Sequence, residues 1–336
     1  MKPPHFWYHE PATLLDQLVS MLLKPLAPLY AAQVAARIRK TVPVKVNAAV
    51  ICVGNLTLGG TGKTPVAMAL LEMLREAGTN AQALSRGYGG SVKGPLCVDL
   101  GRHTSKDVGD EPLILARSAP VWISRNRIAG AEAAILHRAE VIVMDDGHQN
   151  PQICKDMSIV VIDAETGCGN GRVFPAGPLR ENIADGFART DAIVLMMPHP
   201  EYEPDYDRLS LTELESPVLK AWLEPVSPPP DTPVFAFAGI GRPEKFFKAL
   251  AKAGGRIAGT KAYPDHHDFT RNDLRQLRTL AEAAGAHLMT TEKDIVRIPA
   301  IDREGIRAWP VRAVFEEPAR AAALLEQALD VAAARR

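Results

Sequence analysis

The feature that most constrains this chain is an apolar run, Ala49-Val50-Ile51-Cys52-Val53, that leads directly into Gly54-Asn55-Leu56-Thr57-Leu58-Gly59-Gly60-Thr61-Gly62-Lys63-Thr64 and then into a helical pattern over 66–76. Strand, glycine loop and helix in that order form a phosphate cradle. Glycines let backbone N–H groups turn toward a phosphate, and the start of the helix adds the positive end of its dipole. Lys63 reaches the β- and γ-oxygens, and the Thr64 hydroxyl is placed to ligate Mg²⁺. Thr57, Leu58, Gly59, Gly60, Thr61, Gly62, Lys63 and Thr64 are therefore read as the nucleotide-binding residues, with Thr57 standing where the usual pattern has its first glycine. The alternative, a glycine-rich turn that binds nothing, is disfavoured by the strand before it and the helix after it.

Apolar runs of strand length at 48–53, 81–85, 121–124, 141–145, 158–163 and 192–197 alternate with helical patterns, which reads as a parallel sheet covered on both faces. The clearest break in composition is 225–233, with Pro228, Pro229 and Pro230 in succession. Beyond it a second series of strand-like runs occupies 234–238, 256–259, 287–290 and 309–315. The expected fold class is α/β: a P-loop NTPase-like parallel core over 41–225, a second, smaller α/β domain over 226–336, and a helical segment over 1–40. With 336 residues and 46% hydrophobic content, the chain is long enough for two such cores.

Lys plus Arg and Asp plus Glu both number 39, so no global basic field exists to hold nucleic acid, and any charged partner must be met locally. Cys52, Cys97, Cys154 and Cys168 lie far apart with no paired spacing, which suits free thiols in a reducing compartment and a cytosolic setting. No secretory signal pattern opens the chain. Lys24, Pro25, Pro28 and Arg37 interrupt the best candidate for a spanning helix. That segment is nonetheless amphipathic: Phe6, Trp7 and Tyr8 precede Leu14, Leu15, Leu18, Val19, Leu22 and Leu23 at helical spacing, with Arg37, Arg39 and Lys40 beyond. Two destinations stay open for it, a bilayer interface or the protein's own core.

Val141-Ile142-Val143-Met144 ends in Asp145-Asp146, two acids delivered at the carboxyl end of a strand, where open α/β sheets bind ligands. One can hold the Mg²⁺ of MgATP and the other orient Lys63 or a second ion; a turn or helix-capping aspartate is the bland alternative. Asp110 and Glu111 open a helix, where capping and dipole effects already account for acids. Phosphoryl transfer to a hydroxyl also wants a positioned base, and Asp265-His266-His267-Asp268 supplies a partner for one. From spacing alone these histidines are equally loop residues or half of a zinc site.

Taken in order, the Gly54 to Pro65 loop, Ser85-Arg86-Gly87-Tyr88-Gly89, Gly109-Asp110-Glu111-Pro112, Asp145-Asp146-Gly147-His148-Gln149, the run from Gly169 to Glu181, Asp265-His266 and Thr291-Glu292-Lys293-Asp294 resemble the motif set of the tetraacyldisaccharide 4′-kinases. The resemblance implies a membrane-associated P-loop kinase using ATP and Mg²⁺. Its acceptor is the 4′-hydroxyl of a tetraacylated glucosamine disaccharide 1-phosphate, its product lipid IVA, and its place the cytoplasmic face of the bacterial inner membrane. It further implies a nucleotide-binding core and smaller C-terminal domain joined by a two-stranded hinge, with no obligate protein partner. By resemblance Asp110 is the base with His266 as dyad partner, and Lys63 neutralises the phosphate chain. Thr64, Glu111, Asp145 and Asp146 surround Mg²⁺, and Arg86, Tyr88, Arg127, Gln149 and Arg180 contact the phosphorylated headgroup. The acylated acceptor tilts the N-terminal segment toward the membrane, as an amphipathic helix over 6–23. Asn150 and His148 depart from the family pattern, which commonly has histidine and an aromatic there, so altered headgroup contacts are expected at both. A P-loop switch or partitioning-type ATPase is the rival, but that group's lysine before the paired glycines is Leu58 here. Thr291-Glu292-Lys293-Asp294 lacks the spaced guanine code of GTPases. A nucleotide-binding membrane adaptor, the remaining rival, would consume no ATP in response to an acceptor.

Overall fold

The computed structural model describes residues 4–9 and 13–335. After a 3₁₀ turn at His5–Trp7, the chain runs through α1 (Leu14–Leu23), α2 (Leu26–Lys40), β1 (Ala49–Gly54), α3 (Lys63–Glu76), β2 (Ala81–Ser85), β3 (Leu96–Cys97), α4 (Ser105–Val108), α5 (Asp110–Leu115), β4 (Val121–Ile123), α6 (Arg127–Leu136) and β5 (Val141–Asp145). It continues through β6 (Met157–Asp163), α7 (Ile183–Phe187), β7 (Ala192–Met197) and β8 (Val218–Pro225). The remainder is β9 (Val234–Ala238), α8 (Pro243–Lys252), β10 (Ile257–Ala262), α9 (Arg271–Ala283), β11 (His287–Thr290), α10 (Glu292–Arg297), β12 (Ile306–Ala308), β13 (Val311–Phe315) and α11 (Pro318–Ala334).

The larger sheet has the order β13-β8-β7-β6-β1-β5-β2-β4-β3, parallel except at its two edges, where β13 and β3 run antiparallel. Period-two alternation explains why its strands read as unbroken apolar runs. Ala49, Ile51 and Val53 of β1 face a core filled from α3 and α11, while Val50 faces the opposite core against Ala131 and Ala134 of α6. Each buried Val or Ile among them contributes about 1.5–3 kcal/mol. The loop after β1 and the acids after β5 therefore emerge side by side, because β1 and β5 pair directly with Val53 opposite Asp145.

The smaller sheet, β10-β9-β11-β12, is wholly parallel. The chain enters it from β8 and returns through β13, which pairs antiparallel with β8 from Val311 opposite Pro225 to Phe315 opposite Ala221. Within the expected second domain over 226–336, the run at 309–315 contains β13, which with α11 rejoins the larger sheet, while the smaller sheet ends on β12 at 306–308. Leu325 and Ala328 of α11 pack in the same core as Ile51 and Leu70. Two adjacent strands thus connect the lobes.

The N-terminal expectation of one helix over 6–23 also changes. Phe6 and Trp7 lie in the 3₁₀ turn and are buried; Trp7 Nε1 donates to the Pro175 carbonyl at 3.2 Å, and Asn170 Nδ2 donates to the Phe6 carbonyl at 2.9 Å. The aromatic cluster therefore belongs to the protein's own fold. Residues 10–12 of the expected helix lie outside the described residues. Beyond them α1 and α2 form a helix pair bent by 42°, with Ala27, Ala31 and Val34 of α2 buried and Leu14, Leu15, Leu18, Met21 and Leu22 of α1 between 57% and 78% exposed. No single helix among the described residues is long and apolar enough to cross a membrane.

Candidate active site

Residues 55–62 curl from β1 into α3, and the loop is braced from three sides. Asn55 Nδ2 donates to the Thr57 carbonyl at 2.8 Å, Leu58 N donates to the Pro178 carbonyl at 2.7 Å, and Tyr8 Oη donates to the Leu58 carbonyl at 3.1 Å. Gly59 and Gly62 take φ of +116° and +90°, a region that L side chains avoid, and a Cβ at Gly62 would press on Met196 at 3.1 Å. Gly60 completes the turn; Thr61 and Thr64 are buried, and the Thr61 hydroxyl has no partner among the described residues. Lys63, also buried, extends its ammonium to 3.5 Å from Asp146 Oδ1.

Asp146 is shared: Arg180 Nη1 donates to both of its oxygens at 2.9 and 3.1 Å, and Arg180 Nε donates to the Thr57 carbonyl at 3.0 Å. Burial alone would raise Asp146, but Lys63 and Arg180 outweigh it and hold the carboxyl at about 2. Asp145 behaves oppositely. Burial, with the neighbouring Glu111 and Asp146 charges, pushes it up to about 7, and neither of its oxygens meets a donor among the described residues. An orphaned buried carboxylate beside a second acid suits a divalent cation. No group of three or more His, Cys, Asp or Glu side chains among the described residues is placed to hold a metal by itself. Mg²⁺ takes one or two carboxylates and completes its shell with phosphate oxygens and water.

The second lobe closes the other side. His266 Nδ1 stands 3.2 Å from Asp110 Oδ2, so two residues 156 positions apart in the chain do meet. The same oxygen accepts from Arg297 Nε at 2.6 Å. Burial pulls Asp110 upward, yet the His266 hydrogen bond and the Arg297 cation prevail and keep its carboxyl below the ordinary range. Glu111 pairs with Lys293 Nζ at 3.1 Å; against burial, Lys293 and Lys63 hold it low. Lys293 and Arg297 are site residues that sequence reasoning does not single out. The signal for them is two basic residues four apart, placing both on one face of α10, the short helix that Thr291 caps by accepting from Asp294 N.

The expected headgroup residues divide. Arg86 and Tyr88 follow β2 and are exposed, whereas Arg127 is buried at the start of α6, its Nη1 on the Ser124 carbonyl and its Nε without a partner among the described residues. Burial and the Arg86 charge lower Arg127 to about 10. Gln149 and Arg180 face inward: Gln149 Nε2 donates to the Asn55 carbonyl at 2.9 Å and to Glu181 at 3.0 Å. His148 is buried with Nε2 3.1 Å from the Gly186 carbonyl, and burial, with Lys155 and Arg189, lowers it to about 3. Buried in this way, it offers little surface to a headgroup.

The family profile for tetraacyldisaccharide-1-P 4′-kinase matches residues 19–330. The chain is 51% identical over 331 residues to the tetraacyldisaccharide 4′-kinase of Maricaulis maris, covering 98% of this chain and 97% of the relative. It is 48% identical to the one from Hyphomonas neptunium, covering 97% of each. Among solved structures, LpxK from Aquifex aeolicus, an "apo" form in complex with ATP, superposes with a TM-score of 0.72 at 27% identity, covering 93% of this chain and 99% of that one. A profile match over nearly the whole chain and relatives of about half-identical sequence settle its kinship: the chain belongs to the tetraacyldisaccharide-1-P 4′-kinase family.

Proposed function

We propose that this chain moves the γ-phosphate of ATP to the 4′-hydroxyl of a tetraacyldisaccharide 1-phosphate, with Asp110 taking the hydroxyl's proton. The single observation carrying the reading is that Asp110, on α5 of the larger lobe, is held ionised by His266 and Arg297 from the smaller one. Loop N–H groups and Lys63 bind the phosphate chain. Lys63, within reach of Asp146, draws charge from the transferring group. Thr64 and Asp145, with Asp146 and Glu111 around them, would hold Mg²⁺, which would offset the negative charge of the phosphate chain. The buried Arg127 with Arg86 outside it gives an anionic headgroup a cationic seat. The switch-ATPase reading is not favoured by any residue of this site.

The working place we propose is the cytoplasmic membrane surface, without an obligate protein partner. What supports it is the exposed leucine face of α1 beside a tetraacylated acceptor that leaves a bilayer only at high free-energy cost. The test of function is transfer of labelled γ-phosphate from ATP to tetraacyldisaccharide 1-phosphate in detergent micelles, wild type beside Asp110→Ala. Acceptor-dependent transfer lost in the variant supports substrate and base together. ATP binding without acceptor-dependent transfer in the wild type removes the kinase reading.

A further inference from the structure

Two nitrogens from the smaller lobe converge on one oxygen of Asp110. Arg297 Nε reaches Oδ2 at 2.6 Å and His266 Nδ1 reaches the same atom at 3.2 Å, while among the described residues no donor reaches Oδ1. An interdomain ion pair serving stability alone has no need to load one oxygen and leave its twin bare. A base does need this: the bound oxygen fixes the carboxylate plane and the bare one accepts the incoming proton.

Arg297 is itself built into place from beneath. Its side chain is 3% exposed. Nη1 donates to the Gly239 carbonyl at 2.7 Å and to Asp294 Oδ1 at 3.0 Å, and Nη2 lies 3.3 Å from His266 Nδ1. Asp294, wholly buried, is held in turn by Gly239 N at 3.1 Å and by the Thr291 hydroxyl at 2.7 Å. The Gly239 carbonyl also accepts from His266 N at 3.0 Å, so one peptide ties the arginine to the histidine, whose φ is +57°. A Cβ at Gly239 would meet His267 Cβ at 3.1 Å and Asp294 Oδ1 at 3.2 Å, which keeps this approach open to glycine. The guanidinium fork is the one side-chain group that donates in three fixed directions at once, so lysine cannot reproduce the arrangement.

We infer that Arg297 is a positioning residue for the transfer: it locks Asp110 Oδ2 so that Oδ1 faces the acceptor hydroxyl. The inference rests on Asp110 being the base. Arg297 touches neither nucleotide nor acceptor and acts through the carboxylate it holds.

The test is a double-mutant cycle on the full chain in micelles, with Arg297→Lys, Asp110→Asn and both together, reading kcat and KM for ATP and acceptor alongside the melting temperature. Misplacing a reacting group by about 1 Å costs about 100-fold. Arg297→Lys is therefore expected to lower kcat between about 10-fold and 100-fold, with both KM values within about twofold. In the Asp110→Asn background the same change is expected to have no further effect. A loss equally large with Asn at 110, or no loss in Arg297→Lys alone, overturns the role of Arg297 and leaves the base reading standing. Full activity in Asp110→Asn overturns the base reading and this inference with it. Should Arg297→Lys not fold, Asp294→Asn, which keeps the arginine but weakens its anchor, enters the same cycle with the same expected outcomes.

Discussion

Asp145 shows how a functional residue is kept at the expense of stability. Its pKa rises from an ordinary carboxyl value to about 7 because it is buried among acids with no donor. The folded chain therefore binds that proton more tightly than the unfolded chain. Stability from this group is present below the ordinary carboxyl pKa and is lost as pH climbs toward 7. Asp145→Asn removes the charge while keeping the shape, so at pH 8 the ligand-free variant is expected to melt several degrees above wild type, at about 2–4 °C per kcal/mol. Transfer should be abolished in the same protein. Equal or lower melting temperatures at pH 8 would refute the account of Asp145. Lys63 gives the complementary case: Lys63→Ala removes a donor aimed at the transferring phosphate and is expected to cost about 10²–10³ in kcat, measured by the micelle assay. Both residues are legible in the sequence, Asp145 because a strand ends at it and Lys63 because a helix opens there after the glycine loop. Arg297 is not, since its role depends on Gly239, Asp294 and Asp110, which converge only after two lobes fold against each other.

At the scale of elements, the amphipathic pattern over 6–23 carries two signals that sequence alone does not separate. Phe6 and Trp7 are apolar because they dock on the 169–178 loop, and the leucines of α1 are apolar although the fold leaves them bare. Periodicity reports which residues share a face, not what the face meets. Leu15, Leu18 and Leu22 lie along that bare face, so changing all three to Glu costs no core packing. The triple variant should melt within about 2 °C of wild type and retain activity on micellar acceptor at saturating detergent, given how little exposed substitutions perturb a fold. Cosedimentation with anionic liposomes should fall sharply. Unchanged liposome association would remove α1 as the docking surface. The return of β13 and α11 to the larger sheet is illegible for a related reason: Val311–Phe315 has the same apolar character whichever sheet it joins, and the antiparallel partner β8 is itself hidden beside the proline run.

For the whole molecule, the two flanks of the interlobe cleft are built from different materials. On the α5 flank, Val108, Leu113 and Ile114 share one apolar core with Phe237, Ile295 and Val296 of the smaller lobe. On the opposite flank the contact rests on charge. Asp163, at the end of β6, is paired with Arg242 and, at 3.1 Å, with Lys245, while Glu165 also meets Lys245. The two cations are 40% and 42% exposed. Ion pairs of that exposure contribute about 0–1 kcal/mol each and weaken as the screening length falls from about 10 Å at 0.1 M salt to about 3 Å at 1 M. An apolar hinge on one side and a screened latch on the other let the cleft open at the Asp163 flank while Asp110 and Arg297 stay near each other. A compact chain of this length has a radius of gyration of about 20 Å. The double variant Arg242→Ala with Lys245→Ala is expected to raise that radius by about 1 Å at 0.1 M salt in small-angle scattering, with the melting transition intact. Wild type in 1 M salt should move toward the same value. Identical scattering for the two proteins at both salt concentrations would mean that apolar packing alone sets the lobe arrangement, and that Asp163 and Glu165 hold nothing closed.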